Sequence, residues 1–368
     1  MTDRAKALDA RILAAIECYE LDESAFLSLA RELLLYQLEH NAPYAAFARS
    51  LGVDAQHLPD QIAAIPAVPA AAFKEARLAT FPAAQTAVWF ETSGTTRGTG
   101  GRHELPTTRL YEAALLASFD RMLLADRARL RYLQLVPDPR ERPHSSLGFM
   151  MDVVARERGD EGTGWYLHDD ELDVVAFLHD VDRACSEGVA VCIATTAFAL
   201  VALLDALAEK RRTLALPPAS RIMETGGFKG RSRVVERAAL YREASERLGV
   251  PVSSIVAEYG MTELSSQYYD APESRDRIEP RVKVAPPWLR PIVVDGEGRP
   301  LPQGIVGAIR HVDLANRGSV IAIETEDLGA LVPSTIPGQT GLVLLGREQG
   351  AELRGCSLDA ESLLARRE

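Results

Sequence analysis

A short loop near residue 95 concentrates glycines and hydroxyl side chains directly after the apolar residues Val88, Trp89 and Phe90. Residues 91–102 read Glu-Thr-Ser-Gly-Thr-Thr-Arg-Gly-Thr-Gly-Gly-Arg. Glycines let several backbone N–H groups point into one concavity, and the hydroxyls add further hydrogen-bond donors. Arg97 and Arg102 supply the positive charge that a polyphosphate needs. The spacing is not that of a Walker A loop, but the composition predicts a phosphate-binding loop, with a flexible surface turn as the alternative.

The core of this loop resembles a known phosphate loop. The core consists of Thr92, Ser93, Gly94, Thr95 and Thr96. It is similar to the phosphate loop of the adenylate-forming superfamily, which includes acyl-CoA synthetases, adenylation domains and firefly-type luciferases. In that superfamily the loop continues with Gly-x-Pro-Lys. Because this chain has no lysine there, the resemblance implies that Arg97 or Arg102 carries the charge.

A second signature of the same superfamily occurs at residues 259–263, which read Tyr-Gly-Met-Thr-Glu. The resemblance implies that the ring of Tyr259 stacks on adenine and that Gly260 lets the backbone approach the nucleotide closely. It also implies that the hydroxyl of Thr262 binds the α-phosphate and that Glu263 is a ligand of Mg²⁺, a cation that prefers hard oxygen donors. The alternative is an ordinary turn between a strand and a helix.

Three further stretches match the superfamily in order. A glycine-rich run at residues 224–231 contains Gly226 and Gly227, which the resemblance places along the adenine. Residues 324–329 read Glu-Thr-Glu-Asp-Leu-Gly and resemble Thr-Gly-Asp-Leu-Gly, whose Asp accepts hydrogen bonds from both ribose hydroxyls; Asp327 takes that position. Arg347 follows Gly346 and resembles the arginine that reaches the ribose or the phosphates at the end of the large domain.

The narrower resemblance is to the acyl-protein synthetases, the fatty-acid ligase component of bacterial luminescence systems, and it covers most of the chain. It rests on residues 65–69 with Phe73 and Lys74, on residues 224–232 and on residues 258–267. It implies an α/β fold: the large N-terminal domain of an adenylate-forming enzyme, with mixed sheets and a small β-rich subdomain. The expected layout is one AMP-binding domain at 1–345, with a helical lead-in at 1–85 and the β-rich part at 285–345, and a short tail at 346–368. We expect the mobile C-terminal domain, with its lysine, to be absent.

In the acyl-protein synthetases the acyl group moves from AMP to a cysteine near the C-terminus and then to a reductase partner. Cys356 is the candidate here, since Ser357 could cap a terminal helix over residues 358–367 and Arg354 is near. A helix N-terminus and a nearby cation both favour the thiolate, which is the attacking form. The alternative is a small buried side chain. We interpret Cys18, Cys185 and Cys192 as structural residues, because each lies in an apolar helix or strand pattern.

The elements that must position these residues alternate between strands and helices. Apolar residues at three-to-four spacing predict helices up to about residue 55, and residues 110–124 form another such pattern. Short apolar runs predict strands at 133–136, at 189–193 (with a helix to Arg211) and at 255–259. The last third has short β-rich runs split by Gly and Pro, at 292–294, 306–312, 320–324 and 342–345. This order predicts an α/β protein with a parallel sheet and an antiparallel β-rich part.

The composition restricts the partners. The 368 residues are 47% hydrophobic and 25% charged, as in an ordinary globular protein, and the net charge is −11 with no basic stripe. Nucleic acids and anionic membranes are therefore not expected as partners. The longest apolar run, 189–204, is too short for a membrane span. Four cysteines without CxxC spacing and a charged start predict a cytoplasmic protein.

Together the signatures predict a ligase that uses ATP and Mg²⁺. It activates a fatty or aromatic carboxylic acid to an acyl-adenylate, releases pyrophosphate and passes the acyl group to a thiol. That thiol is Cys356, the phosphopantetheine of an acyl carrier protein, or CoA, and an acyl reductase is a further candidate partner. The alternatives are a ligase that uses only an external thiol, a phosphotransferase, and a non-catalytic nucleotide-binding scaffold derived from a synthetase.

Overall fold

The computed structural model describes residues 2–92, 100–169, 171–226, 236–277, 280–334, 336 and 339–347. By its contacts the chain divides into two compact units. The first comprises Met1–Ala117, Met261–Gln267 and Val282–Glu368, and the second comprises Ser118–Gly260 and Tyr268–Arg281. The division does not test the predicted limits at residues 85, 285 and 345, which stay a prediction. The predicted terminal helix lies outside the described residues.

The described residues form nine α-helices: α1 Asp3–Cys18, α2 Glu23–His40, α3 Ala42–Ser50, α4 Ala72–Glu75, α5 Arg109–Leu123, α6 Ser146–Arg158, α7 Val174–Glu187, α8 Ala197–Glu209 and α9 Arg237–Leu248. They form sixteen strands: β1 Val68–Pro69, β2 Val88–Glu91, β3 Arg102–Leu105, β4 Arg131–Leu135, β5 Gly164–Trp165, β6 Leu167–His168, β7 Glu171–Leu172, β8 Val191–Thr196, β9 Arg221–Thr225, β10 Ile255–Tyr259, β11 Tyr268–Asp270, β12 Val282–Val284, β13 Leu289–Val294, β14 Gly307–Asp313, β15 Ala322–Pro333 and β16 Thr340–Arg347. No helix among these residues is long and apolar enough to cross a membrane.

The first unit contains the N-terminal helices and the antiparallel strands of the last third of the chain. Its strands follow the order β13-β14-β15-β16-β12, and β1 pairs in parallel with Ile323 and Glu324 of β15. The helices are tied by buried polar contacts to the connection between β14 and β15. Gln37 of α2 donates to the Asn316 carbonyl over 3.0 Å and accepts from the Ile321 amide over 2.8 Å, and Arg317 forms a buried ion pair with Asp9 of α1.

The second unit contains a sheet in the order β11-β10-β9-β8-β4-β5. All its neighbours pair in parallel except β10 and β11. Its hydrophobic core combines apolar residues of β4, β8 and β10 with the buried faces of α7, α8 and α9. The Thr196 hydroxyl accepts a hydrogen bond from the Ala199 amide over 3.1 Å and so caps the start of α8. Because parallel strands end at one edge, loops that follow β8, β9 and β10 leave the sheet together.

The α/β prediction is confirmed. The structure has helices up to Ser50, α5 at the predicted 110–124, the strand β8 followed by α8, and β10 at the predicted 255–259. The main difference is the length of β15, which runs on to Pro333 instead of ending at residue 324. The Thr-Glu-Asp-Leu-Gly stretch therefore lies within a strand, because β14 pairs with it up to Gly329 and β16 pairs with it from Asp327.

Candidate functional site

The β2–β3 hairpin carries the root of the predicted phosphate loop in the first unit. Phe90 faces His103 across the pair, and the Thr92 amide donates to the Gly101 carbonyl over 2.9 Å. A Cβ atom on Gly101 would lie 2.7 Å from the Phe73 backbone, so only glycine fits there. Thr92 is buried, and its Oγ1 has no hydrogen-bond partner among the described residues. Ser93, Gly94, Thr95, Thr96 and Arg97 lie outside them.

Arg102 lies on the other face of this hairpin. Side chains alternate along a strand, so a residue next to Gly101 points away from the face that Thr92 shares with Gly101. Arg102 is exposed accordingly, and its guanidinium carbon lies 4.2 Å from the centre of the Trp89 ring. The structure thus places the two predicted phosphate ligands Thr92 and Arg102 on opposite faces.

The segment Met261–Gln267 belongs to the first unit, and its main chain is held by buried side chains. His103 Nδ1 lies 2.8 Å from the Thr262 carbonyl oxygen, and Asn316 Nδ2 lies 2.9 Å from that of Glu263. The Asp313 carboxylate accepts hydrogen bonds from the Ser265 amide and from the Ser266 hydroxyl, over 2.9 and 2.8 Å. The hairpin that carries Thr92 and the segment that carries Thr262 and Glu263 are therefore hydrogen-bonded to each other.

Burial controls the charges of this group. The Glu263 residue is 8% exposed, while His103 and Asp313 are fully buried. Burial lowers the pKa of His103 to about 4, against the opposing effect of its hydrogen bond to Thr262, so the ring is neutral at pH 7. Burial raises the pKa of Asp313 to about 6, because it outweighs the hydrogen bonds from Ser266, Ser265 and Ala315 that stabilise the carboxylate.

The predicted ribose ligand and the predicted terminal arginine are brought together. Asp327 and Arg347 are register partners on β15 and β16. Asp327 is half-buried, and its amide donates to the Thr325 hydroxyl over 3.2 Å. Burial lowers the pKa of the nearby His311 to about 4, although the Asp327 carboxylate opposes this shift. The His311 imidazole is therefore neutral at pH 7 and does not offset the charge of Asp327.

In the second unit, Gly226 and Tyr259 come together at the carboxyl edge of the parallel sheet. Thr225 and Glu258 are register partners, and the Thr225 hydroxyl donates to the Glu258 carboxylate, so the next residue of each strand leaves the same edge. Gly226 has a φ of +78°, a left-handed conformation that favours glycine. The Tyr259 ring is half-buried beside Tyr268, with 5.6 Å between the ring centres, and Gly260 is exposed. Gly227 lies outside the described residues.

The cysteines differ in exposure. Cys356 lies outside the described residues, so its role as nucleophile stays a prediction. Cys192 is buried in β8, and burial raises the pKa of its thiol to about 12. Cys18 and Cys185 are exposed on α1 and α7, so the interpretation of these two as structural residues finds no support in packing.

Glu263 is the predicted Mg²⁺ ligand, and its surroundings fit that cation. Mg²⁺ is commonly held by one or two carboxylates together with substrate phosphates and waters, so one buried carboxylate is compatible with this role, which stays a prediction. Within the described ranges, one group of three residues has ligand atoms close enough for a metal ion, namely Asp138, Glu141 and His168. Asp138 of that group is ion-paired with Arg140.

Three residues of this site are not predicted by the sequence: His103, Asp313 and Asn316. None lies in a recognisable motif, and all three act on the main chain of residues 262–266 from distant positions. The one available indication is that His103 follows the exposed Arg102 on the short strand β3 and therefore lies on the buried face of that strand. That pattern marks a buried polar residue, which requires a partner.

Comparison with known proteins gives a consistent result. The family described as "Acyl-protein synthetase, LuxE" matches residues 7–364. A curated relative, the long-chain-fatty-acid–luciferin-component ligase of Aliivibrio fischeri, is 21% identical over 91% of this chain and 88% of its own length.

Solved structures show the same fold. A 2-hydroxyisobutyryl-CoA ligase in complex with 2-HIB-AMP and CoA superposes with a TM-score of 0.66 and 15% identity, over 88% of this chain and 69% of the ligase. ATP-bound MatB from Rhodopseudomonas palustris superposes with a TM-score of 0.50 and 18% identity, over 73% of this chain and 49% of MatB. The predicted fold of the adenylate-forming ligases is therefore confirmed.

Proposed function

The chain belongs to the LuxE acyl-protein synthetase family, and from this premise we propose how its residues carry out the reaction. The protein is an AMP-forming acid–thiol ligase: it activates a carboxylic acid with ATP to an acyl-adenylate and transfers the acyl group to a thiol. The observation that best supports our assignment of residues is the hydrogen bond between His103 and the Thr262 carbonyl. This hydrogen bond joins the β2–β3 hairpin, which carries the predicted phosphate loop, to the segment that carries Thr262 and Glu263.

In the first step a carboxylate oxygen of the acid attacks the α-phosphorus of ATP, and the bond to the pyrophosphate oxygen breaks. Thr92 and the loop that follows it hold the phosphates, and the Thr262 hydroxyl donates to the α-phosphate. Asp327 accepts from the ribose hydroxyls, with Arg347 opposite it on β16. Tyr259 and the Gly226–Gly227 backbone contact the adenine. Catalysis is then mainly positioning and neutralisation of charge.

Glu263 would hold Mg²⁺, and the bound ion would supply positive charge that stabilises the leaving pyrophosphate. The burial of Glu263 makes its carboxylate a stronger ligand than an exposed one, because fewer waters compete with the carboxylate for the cation. Arg97 or Arg102 supplies the positive charge that a lysine supplies in other loops of this type. The exposed position of Arg102 on the outer face of the hairpin favours Arg97 for this role.

In the second step a thiolate attacks the acyl carbon, and AMP leaves with one oxygen of the original acid. We propose Cys356 as the first acceptor, with an acyl reductase, a carrier protein or CoA as the next. The name of the Aliivibrio fischeri relative favours a long-chain fatty acid as the substrate. A reduced thiol is required throughout, which suits the cytoplasm.

Intact-protein mass spectrometry after incubation with ATP, Mg²⁺ and hexadecanoic acid tests this proposal. We expect one mass increment equal to the acyl group, which hydroxylamine removes as expected for a thioester. The increment should disappear in Cys356→Ser and persist in Cys185→Ser, a control that removes an exposed cysteine. Pyrophosphate release without an increment would move the acceptor to an external thiol. Neither signal with any fatty or aromatic acid would contradict the proposed function.

A further inference from the structure

His103 lies outside the residues that contact ATP in the mechanism above, yet it is the link between two of their segments. Its ring is fully buried and nearly perpendicular to the Phe73 ring, with 5.9 Å between the ring centres. The partner of Nδ1 is a carbonyl oxygen, which can only accept, so Nδ1 carries the proton and donates to Thr262. The tautomer of His103 is thus set by the main chain of the second signature.

A second buried side chain acts on the next peptide. Asn316 Nδ2 donates to the Glu263 carbonyl over 2.9 Å and to that of Val320 over 2.9 Å, and its Oδ1 accepts from the Ser265 hydroxyl over 3.0 Å. The carbonyl of Thr262 and the carbonyl of Glu263 therefore each accept a hydrogen bond from a buried side chain. The two donors come from chain positions 103 and 316, far from residue 262.

We propose that His103 and Asn316 are positioning residues, which hold the Thr262–Glu263 backbone so that the Thr262 hydroxyl and the Glu263 carboxylate meet the triphosphate. This inference rests on the proposed function. A shift of about 1 Å in a reacting group can cost about 100-fold in rate, so two main-chain hydrogen bonds at this place matter for turnover more than for binding.

The rest of the His103 environment argues against a purely structural role. Burial of this ring carries a free-energy cost, because two polar ring nitrogens leave water and each then requires a partner. An apolar side chain would pack against Phe73 without that cost. An apolar side chain would also lack the Nδ1–H that reaches the Thr262 carbonyl. Proton transfer to a substrate is also an unsuitable role, because the ring is fully buried.

A matched pair of substitutions separates these roles. In His103→Asn the amide nitrogen takes the place of Nδ1 and can still donate to Thr262, whereas His103→Leu has nearly the same shape and no donor. The activity readout is pyrophosphate release with hexadecanoic acid. We expect His103→Leu to lower kcat by about 100-fold with KM for ATP changed less than about 3-fold, and His103→Asn to recover most of the loss.

Hydrogen exchange of the peptide covering Met261–Gln267 gives a second readout that needs no acid. We expect faster exchange in His103→Leu than in the wild type and in His103→Asn, with unchanged exchange in β8 and β9 as the control for global unfolding. The kcat–pH profile between pH 6 and 9 should keep its shape in His103→Asn, since burial keeps His103 neutral there.

The inference is overturned if His103→Leu keeps both the wild-type kcat and slow exchange, or if His103→Asn is as impaired as His103→Leu. A limb of the pH profile that disappears in His103→Asn would instead assign proton transfer to the ring, and so would also overturn it. If the wild type releases no pyrophosphate with any acid, the proposed function fails, and the exchange data still decide whether His103 holds the segment.

Discussion

Replacing Glu263 with glutamine should reduce acid-dependent pyrophosphate release by at least about 100-fold, the range expected when a buried charged group that stabilises a developing charge is lost. Glutamine keeps the size of the side chain and the backbone hydrogen bond from Asn316 to the residue 263 carbonyl. It removes the negative charge that Mg²⁺ requires, so the effect should come from metal binding rather than from misfolding.

The dependence on Mg²⁺ identifies the cause of that loss. In Glu263→Gln we expect the Mg²⁺ concentration for half-maximal activity to rise, while the thermal midpoint stays within a few degrees of the wild type. Glu297→Gln is the matched control, since Glu297 is exposed in the turn between β13 and β14. Wild-type activity and an unchanged Mg²⁺ requirement in Glu263→Gln would show that the metal is held elsewhere.

Replacing Asp327 with alanine should raise KM for ATP by about 10- to 100-fold, as expected for the loss of hydrogen bonds to a charged acceptor. The specific readout is the comparison with 2′-deoxy-ATP. The wild type should prefer ATP by about 10-fold, because the carboxylate accepts from the 2′-hydroxyl. Asp327→Ala should use the two nucleotides equally well.

Glu326→Ala is the control for this experiment. Glu326 precedes Asp327 on the same strand, but its side chain is exposed and points to the opposite face. It should therefore leave both KM and the preference for ATP unchanged. If Asp327→Ala still discriminates against 2′-deoxy-ATP, the ribose contact belongs to another residue, and the assignment by position in the signature is wrong.

Much of the fold could be predicted from local patterns. The strand β10 begins with the apolar residues Ile255, Val256 and Ala257, which are all buried in the sheet, and α1 has buried residues at helical spacing. The length of β15 could not be predicted in this way. The predicted strand ends at residue 324, before the polar side chains of residues 325–327, but residues 325–329 continue the strand because β14 and β16 provide hydrogen-bond partners on both sides.

The candidate site could be proposed from the sequence only where a signature is continuous in sequence. One short run, at residues 259–263, contains Tyr259, Thr262 and Glu263. A second run, at residues 324–329, contains Asp327. The pairing of Asp327 with Arg347 depends on the register of two strands, which no local pattern specifies. The same holds for His103, Asp313 and Asn316, whose contacts with residues 262–266 exist only after the chain has folded.

The central claim, that an acyl-adenylate is formed, is tested most directly with a fatty acid labelled with ¹⁸O in its carboxylate. Because the carboxylate oxygen attacks the α-phosphorus and AMP later leaves with that oxygen, one ¹⁸O atom should appear in AMP and none in pyrophosphate. The measurement is mass spectrometry of the nucleotide and phosphate products after turnover with a thiol acceptor. Label in inorganic phosphate, with ADP as the other product, would indicate an acyl-phosphate route and would contradict the account, as would AMP without label.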